Sequence, residues 1–351
     1  MGGYLIYGAN GYTAQLIARE GVKRGLSPIL AGRNAEAVGT LARQLNLEHR
    51  TFALDDPAAV DAGLKDVAVV LNCAGPFSRT AKPMADACLR GRVHYLDVTG
   101  EISVFEELAG RDAEARAAGV MLMPGVGFDV VPSDCLAAHL KRRLPTANKL
   151  ALGFQALGGF SRGTATTMVE NLPKGGMIRR GGVLTRVPTA WRTRVIDFGR
   201  GPVRAMTIPW GDVATAYHST GIPDIEVYVA AALSQVIAGR FLRWFGWAAG
   251  SRAVQGYLKR RIQAGPPGPS DEERARGQSL LWGEATDSVG GRVVSRLRGP
   301  EGYTLTMLAA LAVVARVLNG EAPPGFKTPS LAYGPDFVLE LPGVARTDEG
   351  V

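Results

Sequence analysis

The sequence predicts an α/β chain of two domains, on three observations. A strand-like run at 4–7 enters a glycine turn and leaves it as a helix pattern at 13–20, with Leu16 and Ile17 apolar. Strand and helix patterns then alternate as far as about Met123, the order of a parallel sheet covered by helices. Beyond that point the alternation gives way to strand-like stretches at 183–187, 192–198 and 203–208, which fit an antiparallel or mixed sheet.

The first turn reads Gly8-Ala9-Asn10-Gly11-Tyr12-Thr13-Ala14. Gly8 lets the chain turn out of the strand, Gly11 lets backbone approach a pyrophosphate, and small Ala14 lets the helix pack close to the sheet. Phosphates then meet the open N–H groups and positive dipole end of the helix. Glycine is abundant, 45 of 351 residues, so the strand and helix context carries this reading more than the spacing does. The next strand, 27–31, ends at Gly32-Arg33-Asn34, where an NAD site carries a carboxylate for the ribose 2′-hydroxyl. Arg33 offers instead a permanently charged fork suited to a 2′-phosphate, which points to NADP(H) on a Rossmann-type sheet.

The composition, 46% hydrophobic and 21% charged, is that of a globular chain with room for two cores. A formal charge of +8 suits an anionic cofactor. The basic runs Lys141-Arg142-Arg143, Arg179-Arg180 and Lys259-Arg260-Arg261 are short and lack interleaved aromatics, so they read as solvated helix ends and not as a nucleic-acid surface. Cys73, Cys88 and Cys135 form no Cys-x-x-Cys pair, and His49, His94, His139 and His218 have no ligand spacing, so neither a disulfide frame nor a metal site is expected. Met1-Gly2-Gly3 leads straight into a strand without a signal-peptide pattern, and a cytoplasmic location is expected.

In chain order, Asn34 is placed to cap a helix, and the strand 50–54 ends at Asp55-Asp56, whose carboxylates fit caps of the next helix, with contact to an adenine amino group as the alternative. The β-branched run 67–71 reads as a strand buried on both faces, stopping at Asn72-Cys73-Ala74-Gly75-Pro76 beside the first turn. Nothing near Cys73 in sequence would lower its pKa, so it reads as a small spacer in preference to a nucleophile. A helix at 81–89 with Pro83 in its first turn, a strand from His94 ending in Thr99-Gly100-Glu101, a helix at 104–118 and a strand at 120–123 complete the first domain. A helix from Pro132 to Leu144, capped by Ser133 or Asp134, and a strand at 149–157 open the second. The stretch 229–262 is apolar with a basic end, including Phe241, Leu242, Trp244, Phe245 and Trp247. Burial against the second domain is the expectation, with a dimer contact or an interfacial helix as alternatives. A strong apolar helix at 302–318, rich in alanine, suits packing on the first domain. The expected divisions are therefore 1–125, 126–300 and a C-terminal segment, 301–351, returning to the first domain.

Together with the turn at Gly8 to Thr13, the motifs Asn72-Cys73-Ala74-Gly75-Pro76-Phe77, Tyr95-Leu96-Asp97-Val98-Thr99-Gly100-Glu101, Gly127-Phe128-Asp129-Val130-Val131-Pro132-Ser133-Asp134, Gly159-Phe160-Ser161-Arg162-Gly163-Thr164, Trp282-Gly283-Glu284-Ala285 and Gly325-Phe326-Lys327-Thr328-Pro329 resemble the saccharopine dehydrogenase-like oxidoreductases, and within them the trans-acting enoyl reductases. The resemblance implies a Rossmann domain for NADP(H), a second α+β domain that often supplies a dimer contact, and a returning C-terminal segment. Ala14 departs from the family's usual glycine but keeps the small-residue requirement, and the chain is shorter than many relatives, which bears on the substrate pocket.

On this reading the cofactor lies across Gly8, Asn10, Gly11, Tyr12, Thr13, Arg33, Asn72, Cys73, Ala74 and Gly75, bringing nicotinamide toward Glu101 and the segment 125–134. Asp129 and Asp134 are candidates for substrate-side groups, against a hinge role for the first and a helix cap for the second; Glu101 divides equally between orienting substrate and a structural role. The expected function is NADPH-dependent reduction of an enoyl-type C=C bond on a small or carrier-bound substrate. Reduction of an imine from an amine and a 2-oxo acid is the alternative, and a non-catalytic NADPH-binding or lipid-surface protein the third reading.

Overall fold

The computed structural model describes residues 3–157, 161–171 and 175–349. In order the elements are β1 (Gly3–Tyr7), α1 (Tyr12–Lys23), β2 (Ile29–Gly32), α2 (Ala35–Leu45), β3 (His49–Thr51), α3 (Pro57–Gly63), β4 (Val67–Asn72), α4 (Phe77–Gly91), β5 (His94–Asp97), α5 (Ile102–Ala109), α6 (Asp112–Ala118), β6 (Met121–Met123) and α7 (Val131–Arg143). They continue with β7 (Lys149–Leu157), α8 (Arg162–Asn171), β8 (Gly176–Arg180), β9 (Val183–Val187), β10 (Thr193–Asp197), β11 (Pro202–Thr207), α9 (Asp212–Thr220), β12 (Asp224–Ala230), α10 (Leu233–Ala249), α11 (Arg252–Ala264) and α12 (Asp271–Arg276). The chain closes with β13 (Gln278–Thr286), β14 (Arg292–Pro300), α13 (Gly302–Leu318), β15 (Gly325–Phe326), α14 (Pro329–Tyr333) and β16 (Ala345–Glu349). Two units result: Met1–Val131 with Tyr303–Phe337, and Pro132–Gly302 with Val338–Val351.

The first unit holds a seven-stranded sheet in the order β15-β6-β5-β4-β1-β2-β3. Every pairing in it is parallel. Strands such as Tyr4-Leu5-Ile6-Tyr7 and Val69-Val70-Leu71 are buried on both faces, so their side chains run apolar without alternation. Helix starts follow local chemistry: the Asn34 side chain accepts the Ala37 N–H, and Asp56 accepts those of Ala58 and Ala59 ahead of Pro57. The alanine-rich α13 lies on α1, where Leu311 approaches Gly21 and Tyr303 meets Tyr12 edge-on at 5.1 Å between centroids.

The second unit is a mixed nine-stranded sheet in the order β10-β11-β12-β7-β13-β14-β16, with β8 paired to β12 and β9. β7 runs parallel to β12 and antiparallel to β13. Its face buries Ile196, Phe198, Tyr228, Leu280, Trp282 and Val294. Arg143 of α7 donates to the Val294 carbonyl at 2.6 Å and to Ser295 Oγ at 3.0 Å, while His139 Nε2 of the same helix meets Asp348 Oδ1 at 2.9 Å, tying α7 to β14 and β16.

Several expectations change. The first unit extends to Val131 instead of 125, because Gly127 C=O accepts the Val130 and Val131 N–H groups and Phe128 N–H donates to Thr306 Oγ1 within that unit. The C-terminal segment divides: 303–337 joins the first unit, but β16 pairs with β14 because a strand edge was open there. Helix 104–118 is two helices, broken at Gly110-Arg111. α4 starts at Phe77, so Pro83 sits inside it and not in its first turn. α7 starts at Val131, which places Ser133 and Asp134 within its first turn instead of at the N-cap. Residues 159 and 160 of the expected Gly159 to Thr164 motif, and the side chains at 242–249, lie outside the described residues.

Candidate functional site

Strand order reverses between β1 and β4, and in doubly wound sheets ligands bind beyond the carboxyl ends at that reversal. Gly8 leaves β1 with φ +78°, and a Cβ there would stand 2.9 Å from the Cα, Cβ and N of Ala74. The two turns that follow β1 and β4 are thus closed against each other, and Cys73 N–H donates to the Tyr7 carbonyl at 2.8 Å. Gly8 and Ala9 N–H groups both go to the Ala31 carbonyl, which fixes the turn against the end of β2.

Two helices begin at this edge, and they differ. α1 has Gly11 at its N-cap, no side-chain cap and no acidic residue in its first turn. Its first turn carries the positive end of the helix dipole. α4 is closed by Glu101, whose Oε1 accepts the Phe77 N–H at 2.7 Å and Oε2 the Ser78 N–H at 3.0 Å. Of these two helix starts, the one after the glycine turn lacks the side-chain cap that the other has.

Arg33 lies exposed just past β2, beside the N-cap Asn34. Its charge reaches the Tyr7 phenol, whose pKa is raised chiefly by burial, lowered by Arg33 and raised by Asp55. Asp55 therefore brings a carboxylate near this corner from the turn between β3 and α3, which the stretch 32–34 alone does not show. Asn10 is exposed, and its Oδ1 would lie 3.8 Å from a Cβ on Gly32.

Beneath the crevice runs a buried polar chain. Asn72 Oδ1 accepts the Ala74 N–H at 3.1 Å, and its Nδ2 donates to Thr80 Oγ1 and to Tyr95 OH. Tyr95 OH donates to Asp97 Oδ2 at 2.7 Å, and Asp97 Oδ1 accepts the N–H groups of Thr99 and Gly125 at 2.9 and 2.8 Å. The Asn72 side chain, fully buried, thus holds the 72–75 turn in shape. Burial raises the Asp97 carboxyl to about 6 against the lowering effect of its donors. Burial likewise pushes the Cys73 thiol up, which suits a spacer and not a nucleophile. Tyr95 and Asp97 were missed as a functional pair; the available signal was two polar side chains in a strand that a parallel sheet buries on both faces.

Glu101, Gly100 and Asp129 come together past β5. A Cβ on Gly100 would lie 2.8 Å from Asp129 Oδ2, so the carboxyl packs on bare backbone. Burial raises the Asp129 carboxyl to about 7, leaving it a substantial protonated fraction at neutral pH. Asp134 is buried in the first turn of α7 and belongs to the second unit, whereas Asp129 belongs to the first. Among the described residues no three His, Cys, Asp or Glu side chains are grouped to hold a metal ion. No helix among them is long and apolar enough to cross a membrane.

The family model for the saccharopine dehydrogenase NADP-binding domain matches residues 4–123, from β1 to the end of β6. Residues 4–123 are thus similar to a saccharopine dehydrogenase NADP-binding domain. Within it, the start of α1 without a side-chain cap, the Gly8 cradle and Arg33 are the features that fit the cofactor. A bovine saccharopine dehydrogenase-like oxidoreductase is 26% identical over 160 residues, which cover 40% of this chain and 37% of that protein. A trans-acting enoyl reductase from Mycobacterium leprae is 30% identical over 148 residues, 40% of this chain and 35% of the relative. The chain thus matches well under half the length of these relatives. Apo saccharopine dehydrogenase (L-Glu forming) from Saccharomyces cerevisiae shares the fold over the whole of both chains, with a TM-score of 0.69 at 13% identity.

Proposed function

We propose that the chain is an NADPH-dependent reductase that saturates the C=C bond of an enoyl-type substrate, small or carrier-bound. The observation that carries the NADPH part is the α1 start left without a side-chain cap at the strand-order reversal, with Arg33 past the neighbouring strand. When bound, NADPH supplies the hydride. The residues of the chain do the rest: the opening turn of α1 orients the pyrophosphate, Arg33 pairs with the 2′-phosphate, and the Asn72–Tyr95–Asp97 chain holds the 72–75 turn that shapes the crevice floor.

Saturation of a C=C bond needs a proton at one carbon as hydride reaches the other. Asp129 is the candidate to hold that proton on a carboxyl oxygen, since its burial keeps it partly protonated near pH 7. The enoyl assignment draws on the name of the mycobacterial relative.

The test is NADPH oxidation by the purified chain offered enoyl thioesters in one arm and amine plus 2-oxo acid mixtures in the other, with NADPH binding titrated in parallel. Turnover of enoyl thioesters that falls in Asp129→Asn while NADPH affinity holds supports the proposal. Turnover confined to the amine and 2-oxo acid arm assigns imine reduction instead, and NADPH binding without oxidation in either arm assigns a non-catalytic role.

A further inference from the structure

The hairpin of α10 and α11 breaks the pattern of the rest of the chain. Residues 227–270 contain no Asp or Glu, yet carry Arg240, Arg243, Arg252, Lys259, Arg260 and Arg261. α10 rests on the second unit through Val236 and Gly239, with Gly239 closing on Ala190. Its Leu233, Ile237 and Phe241, four residues apart and therefore in one row, are 56%, 46% and 62% exposed. α11 buries no residue and leaves Val254 and Tyr257 exposed as well. It is held to α8 by polar contacts, Gln255 Nε2 to the Val169 carbonyl at 2.9 Å and Lys259 Nζ to Glu170 Oε1 at 2.6 Å. The expectation that this segment is buried therefore fails at Leu233, Ile237 and Phe241.

We propose that the α10–α11 hairpin docks on an anionic phospholipid bilayer, with the row Leu233, Ile237 and Phe241 entering the boundary between headgroups and acyl chains and the exposed arginines meeting lipid phosphates. An apolar row beside cations is the composition of a helix lying in the plane of a membrane surface. Charge decides against a second copy of the chain as the occupant. An interface between identical faces brings each arginine of 227–270 toward its own kind, and the segment has no carboxylate to neutralise them. Anionic headgroups supply that charge and attract each added Arg or Lys. The surface lies in the second unit and is independent of the reaction proposed above.

The experiment floats the full chain with vesicles of phosphatidylcholine alone and of phosphatidylcholine with phosphatidylglycerol at about three to one, at low and high salt. The chain is expected to float with the anionic vesicles, weakly with the neutral ones, and less at high salt. Leu233→Ser/Ile237→Ser/Phe241→Ser is expected to lower the partition coefficient at least about tenfold, with NADPH affinity unchanged as the control for folding. Should that variant fail to fold, Arg252→Gln/Arg260→Gln/Arg261→Gln is expected to give a similar loss on anionic vesicles and none on neutral ones. Absence of flotation, or a partition coefficient untouched by the variant that folds, overturns the proposal. A dimer in sedimentation equilibrium that the serine variant dissociates, with no flotation of the unsubstituted chain, assigns the face to a second copy and overturns it equally.

Discussion

Gly8→Ala probes the point on which the cofactor site is built. The residue has φ +78°, a region that costs an L side chain about 1 kcal/mol or more. The added methyl also stands 2.9 Å from Ala74 N, Cα and Cβ, where carbon contacts normally begin near 3.5 Å. Two of those three atoms are backbone, so the turn after β4 must move away from the turn after β1, and overpacking of this kind adds about 1–3 kcal/mol. A summed loss of about 2–4 kcal/mol in urea unfolding is expected, and NADPH binding followed by fluorescence should weaken by at least about tenfold, since a tenfold change is only about 1.4 kcal/mol. Adding Ala74→Gly removes one of the three contacts and leaves the φ strain, so it should restore only a minor part. Unchanged NADPH affinity in Gly8→Ala, or full recovery in the double variant, would refute the argument that backbone closure between these turns forms the site.

Arg33→Ala should weaken NADPH by about 1.5–3 kcal/mol more than NADH, the value of a hydrogen bond to a charged group, as read by parallel titrations; equal losses would sink the 2′-phosphate assignment. Glu101→Ala leaves the Phe77 and Ser78 N–H groups of α4 without their acceptor and should cost about 1–2 kcal/mol in chemical denaturation with NADPH affinity retained, whereas a neutral effect would exclude the capping role. Burial raises Asp129 to about 7 and Asp97 to about 6, while an unfolded Asp titrates near ~3.9. Between those limits the folded chain keeps protons that the unfolded chain releases, so both groups make stability fall as pH rises from about 4 toward 7. Asp129→Asn should flatten the part of that slope above pH ~6 and leave the Asp97 part below it; an unaltered slope above pH ~6 would show that Asp129 is not the group responsible.

Much of the first unit was legible because local rules and the fold agree there. Unbroken apolar runs marked the central parallel strands, the Asn34 and Asp56 caps marked helix starts, and glycine at position 8 marked a turn that strains any side chain. The second unit was legible only in part. β12 and β16 are stabilised by pairing with strands distant in sequence, and a strand such as Ala345–Glu349, exposed and polar, carries no period that announces it.

The same division runs through the site. Sequence alone determined the chemistry on offer: a glycine turn ahead of a helix, an arginine where NAD sites keep a carboxylate, and carboxylates at 101, 129 and 134. Only tertiary structure decided what each group is free to do. It spent Glu101 on the start of α4 and Asn72 on its own turn, left α1 without a side-chain cap, set Asp129 on bare backbone, and left Leu233, Ile237 and Phe241 in solvent. Availability to a ligand depends on which donors, acceptors and surfaces are already paired or covered, and partners such as Glu101 for the Phe77 N–H lie tens of residues away, where no local pattern records them.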